Sequence, residues 1–161
     1  MYLTELGIFH TIISLVALVT GIMSLISYKK ISWDNLTGKI YVIATIVVCV
    51  TGFGIFQHGG FGKPHVLGII TLVVLVVAFL AGKKTLFFGK RSAAIEAVSY
   101  SMTFFFHLIP TITEGATRLP LDAPLAASPE DPRIQMATGI CLVLFIIGAT
   151  LQVRSLNAAN T

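Results

Sequence analysis

The chain has 161 residues, of which 55% are hydrophobic and 11% charged; its mean hydropathy is +0.90 and its net charge +4. A soluble domain carries about 25% charged residues, so this composition excludes an ordinary soluble enzyme or binding module. The surplus positive charge sits in loops between apolar runs, and it gives no reason to expect nucleic acid as a partner.

Five apolar stretches follow one another in chain order: Leu6–Ser27, Gly38–Gln57, His65–Gly82, Ala93–Ile112 and Ile134–Val153. A hydrocarbon core about 30 Å thick needs roughly 17–25 apolar residues to span it, and each stretch qualifies. Glu96 is their only acid, and Lys39, at the very start of the second, their only Lys or Arg. Lipid offers the backbone no hydrogen bonds, so helices are expected rather than strands. The pattern predicts one all-α integral membrane domain over residues 1–161, a bundle of five transmembrane helices. The leader Met1–Glu5 has no basic residue, so the first stretch is expected to stay as a helix and not to be cleaved as a signal peptide.

Along the first stretch His10, Ser14, Ala17, Gly21 and Ser24 share one seam, and small residues there let membrane helices approach closely. Lys29, Lys30 and Lys39 flank the first loop. Lys83, Lys84, Lys90 and Arg91 fill the third, and Arg154 follows the last stretch. That places eight of the eleven basic residues on one side, against Lys63, Arg118 and Arg133 on the other. The positive-inside rule makes the first side cytoplasmic, with the N-terminus outside and the C-terminus inside. Lys83–Arg91, with aromatics between its cations, suits an anionic lipid surface, and equally reads as a solvated hairpin loop.

In the fourth stretch Ser92, Glu96, Tyr100, Thr103 and His107 form a polar stripe at spacings of three and four. Such a stripe should face the bundle, as interhelical hydrogen-bond glue or as a functional lining. The following loop, about 110–133, holds five of the six prolines and four of the seven acids, and is expected to be extended and turn-rich. Within it Glu114 and Arg118 are spaced to pair on one helical turn. Asp131 and Pro132 read as cap and first residue of the last helix. Cys49 and Cys141 lie inside apolar stretches and read as buried free thiols.

All four histidines fall near the outer ends of the stretches. His10 and His107 lie at similar estimated depths inside the membrane, about 6 and 8 Å from the outer boundary. His58 and His65 lie at the rim. A b-type haem held edge-on needs axial imidazoles from different helices; His10 and His107 meet that need, with Phe104, Phe105 and Phe106 nearby. A transition metal (Cu, Zn or Fe) needs three or four converging donors, and His58, His65 and Glu114 are the candidate set. A proton relay would use the same residues without a cofactor. The rim pair reads equally well as interfacial residues of a Gly-rich turn. No nucleotide, zinc-protease or haem-attachment motif is present, so no catalytic residue is assigned. The chain is at most a redox component, used for electron transfer or sensing. The alternative is a non-catalytic accessory subunit that docks on other membrane subunits, or on a second copy, within the lipid bilayer. A proton-coupled carrier ranks third, because Glu96 lies near the cytoplasmic end.

Three short segments, Phe9-His10, Gly38-Lys39-Ile40-Tyr41-Val42 and Pro64-His65-Val66-Leu67-Gly68-Ile69-Ile70-Thr71-Leu72, resemble a family of uncharacterised bacterial multi-pass membrane proteins classed as a domain of unknown function. The similarity spans the first three stretches. It implies a bundle fold and lends weight to His10 and His65, but implies no reaction. Where that family often carries a His-Arg pair before the Gly-basic step, this chain has Asp34 and Asn35.

Overall fold

The computed structural model describes residues 4–56, 60–83 and 88–158. Five α-helices make up this part of the chain: α1 Glu5–Tyr28, α2 Leu36–Gly52, α3 Lys63–Gly82, α4 Ser92–Arg118 and α5 Pro132–Ala158. One 3-10 turn, Gly89–Arg91, leads into α4. Four helices are long and apolar enough to cross a membrane; α2, at 17 residues, is a shorter apolar helix. At a rise of about 1.5 Å per residue α2 spans about 25 Å. It ends earlier than the Gly38–Gln57 stretch suggested because the chain turns at Phe53–Gly54, and Gln57 lies outside the described residues.

Local chemistry explains where the helices begin and stop. Thr4 caps α1 by accepting from the Gly7 N–H (3.1 Å), and Lys29 ends it in the left-handed conformation with φ of 58°. Asn35 caps α2, accepting from both the Gly38 N–H and the Thr37 hydroxyl (2.8 Å each). Asp131 starts α5 as expected, its carboxylate accepting from the Arg133 N–H (2.8 Å) with Pro132 as first residue.

The fourth helix corrects the sequence reading. The expected loop at 110–133 begins only after Arg118, because α4 runs on through Pro110. Proline removes only one N–H, and helices within a membrane bundle tolerate it. Just beyond it Thr111 and Thr113 donate to the carbonyls of His107 (2.7 Å) and Ile109 (2.9 Å). Glu114 and Arg118 form the anticipated ion pair on that added turn. The remaining loop folds back on the helix end through Ala126 N–H to Ala116 O (2.9 Å) and Arg133 to Leu125 O (3.0 Å).

Helices α1 to α4 form a four-membered bundle in sequence order. Each packs on the next, with a slighter contact between α1 and α4, and α5 lies outside against α4 alone. The α1 seam is real: Ala17, Gly21 and Ser24 are buried. Gly21 is there because Phe104 of α4 fills the space, and a Cβ would come within 2.6 Å of its ring. Ser24 donates to Thr37 of α2 (2.9 Å). The polar stripe of α4 faces inward as expected, with Ser92, Glu96, Tyr100, Thr103 and His107 all buried. The outer faces of the helices are lined by Leu, Ile and Val, which suits hydrocarbon.

Candidate functional site

Two imidazoles are pinned to α2 from different helices. His10 Nδ1 of α1 lies 3.0 Å from the Thr51 hydroxyl, and His107 Nε2 of α4 lies 3.0 Å from the Thr45 hydroxyl. A hydroxyl has one proton to give. Thr51 gives its proton to the Val47 carbonyl (2.8 Å), and Thr45 gives its proton to the Tyr41 carbonyl (2.8 Å). With that proton on its own helix, Thr45 accepts from His107, which then carries its proton on Nε2 and a lone pair on Nδ1. His10 faces both the Thr51 hydroxyl and the Val48 backbone. Ligating histidines are commonly oriented by such a hydrogen bond from the other ring nitrogen.

The two anchors are six residues apart on α2, which is about 9 Å along the axis and a third of a turn around it. The imidazoles thus approach α2 from two sides and at different levels, not at the similar depth expected from the sequence. His10 is within electrostatic reach of both His107 and Glu114. His107 is 93% buried and lies edge-on to Tyr41, with ring centres 6.0 Å apart. Tyr41, itself fully buried, donates to Thr103 (2.8 Å), whose own proton goes to the Tyr100 carbonyl. Helices α2 and α4 therefore meet across the bundle centre through side chains alone.

The other expected donors lie apart from this pair. His65 is stacked between Phe56 and Phe61, each 5.1 Å away, and its Nδ1 accepts from the Gly62 N–H (3.2 Å). That hydrogen bond places the His65 proton on Nε2, which is buried and unpartnered. Glu114 is engaged by Arg118. His58 lies outside the described residues. Among the described residues no group of three or more His, Cys, Asp or Glu side chains is gathered as a metal ion would require. Cys49 and Cys141 are free thiols on separate helices.

The lysine-rich end of the bundle holds a polar cluster whose other half sequence reasoning missed. Glu96 is 94% buried, and Ser32 of the first loop donates to its carboxylate (2.9 Å). The same hydroxyl lies 3.2 Å from the carboxylate of exposed Asp34. Glycines make the room. A Cβ on Gly82 would come within 2.9 Å of the Glu96 carboxylate, and one on Gly38 within 1.9 Å of the Ser32 carbonyl oxygen. Gly38 belongs to the Gly-Lys-Ile-Tyr-Val segment, the one available sequence signal for this arrangement. No protein family, no curated protein and no solved structure matches the chain.

Proposed function

We propose that the chain is a bacterial inner-membrane protein, N-terminus outside and C-terminus inside, whose outer-half histidines bind a redox-active cofactor for electron transfer or sensing. A b-type haem or a transition metal is the candidate, with His10 and His107 as its ligands. The hydrogen bonds at Thr51 and Thr45 carry the reading, since they hold two imidazoles against one helix and a neutral imidazole keeps one lone-pair nitrogen. Histidines at membrane depth are costly unless they serve a site. The basic loops support the orientation, and the resemblance of the first three spans supports a bacterial membrane.

A second reading, an accessory subunit, draws on α5, which packs on α4 alone and leaves nearly all its apolar surface uncovered. Absorption spectroscopy and metal analysis of the protein, purified in mild detergent, separate the two. The first reading expects a Soret band or bound metal in proportion to protein. Colourless, metal-free protein that arrives with membrane partners favours the second.

A further inference from the structure

We propose that Asp34, Ser32 and Glu96 form a proton-loading site, which exchanges protons between cytoplasmic water and a carboxyl buried in the bundle. Ser32 is the key. Its single proton lies within reach of two carboxylates, at 2.9 Å from Glu96 and 3.2 Å from Asp34. Ser32 also accepts weakly from the Asp34 N–H (3.3 Å). One hydroxyl proton cannot satisfy both acids. With one carboxyl protonated and donating to the serine oxygen, both contacts become full hydrogen bonds.

The surroundings fit that role. A cavity with about 30 Å³ of space for water opens beside Glu96, lined by Trp33, Asp34, Phe79 and Lys83. A water needs about 10–15 Å³ on that measure, so one or two fit. Tyr100, one turn beyond Glu96 on α4, also lines this cavity, and its buried hydroxyl has no partner. Among the described residues no ion pair reaches Glu96. Lys83, which follows α3 and lines the same cavity, has its ammonium over the Phe79 ring at 5.2 Å.

The exchange conserves every atom. A proton on exposed Asp34 passes to the Ser32 oxygen while the Ser32 proton moves to the Glu96 carboxylate. Serine ends neutral, Asp34 ionised and Glu96 protonated. Tyr100, Tyr41, Thr103 and Thr45 continue as hydroxyls up the bundle axis to His107, about 16 Å above Glu96 along α4. The cytoplasmic side rests on the orientation proposed above; the loading site itself does not depend on any cofactor.

Infrared difference spectra of the full-length protein in lipid nanodiscs, taken against pH and against D2O exchange, test this. The expected result is a carboxylic-acid carbonyl band that titrates, shifts in D2O, disappears in Glu96→Gln and persists in His107→Ala. Ser32→Ala and Asp34→Asn should slow its exchange about tenfold, the change that about 1.4 kcal/mol of barrier makes. Asp34 is exposed, so its variant should keep the fold and the helical circular dichroism even where Ser32→Ala does not. The proposal is overturned by any of three results: no band that Glu96→Gln removes, unchanged exchange in Asp34→Asn, or a band that responds to Na⁺ but not to pH. A colourless protein that shows the band removes the histidine reading and leaves this one; a cofactor-loaded protein without it does the reverse.

Discussion

Thr51 and Thr45 hold half-buried His10 and buried His107 against α2, each threonine giving its own proton to its own helix. Thr51→Val would remove the hydroxyl that orients His10 Nδ1 while barely changing volume. If His10 is a ligand, cofactor affinity should fall about 10–100-fold, the usual cost of losing such an orienting partner, measured by reconstitution titration. Gly21 and Gly38 test packing at the same scale. Gly21→Ala drives a Cβ into Phe104 and should lower stability by about 1–3 kcal/mol, read as a drop in Tm in detergent. Gly38→Ala should be worse, because the obstacle is the Ser32 backbone and not a side chain that can turn aside. The α4 stripe was legible in the sequence because spacings of three and four put residues on one face whatever surrounds them. Thr45 and Thr51 were not, since a lone threonine in an apolar run does not announce which helix it meets. Ser32 was hidden for a related reason: it sits in a loop and reaches a carboxylate 64 residues away.

At the scale of elements, composition and length predicted the five helices, and proline misled only at the end of α4. Reading Pro110 as a stop ignored that helices inside a membrane bundle tolerate proline; here α4 continues past it with the Thr111 and Thr113 hydroxyls on its carbonyls. The extra turns place Glu114 and Arg118 on a helix and draw the remaining loop against its end. Helix α5 depends on fewer ties. Gln152 accepts from Ser101 of α4 (3.0 Å) and donates to the Lys29 carbonyl at the end of α1 (2.9 Å). Gln152→Ala leaves both partners unpaired and should cost about 1–3 kcal/mol. Proteolysis in detergent should then release α5 before the four-helix bundle unfolds; equal protection of wild type and variant would show that Gln152 does not anchor it.

For the whole molecule, the lysine-rich end gathers Lys29, Lys39, Lys90 and Arg91, and the orientation proposal follows from them. A reporter fused after Thr161 should be cytoplasmic and one inserted at Ala126 periplasmic, and the reverse pattern would contradict the charge argument. In that orientation the proposed proton-loading carboxyl faces the cytoplasm and the proposed His10 and His107 pair sits in the outer half, with buried hydroxyls of α2 and α4 lying between them. The most direct measurement is the cofactor content of His10→Ala, His107→Ala and His65→Ala, each purified beside wild type. The account predicts bound haem or metal in wild type, its loss in the first two variants and its retention in His65→Ala. Wild-type protein without a cofactor, or a cofactor that survives both bundle substitutions, would contradict it.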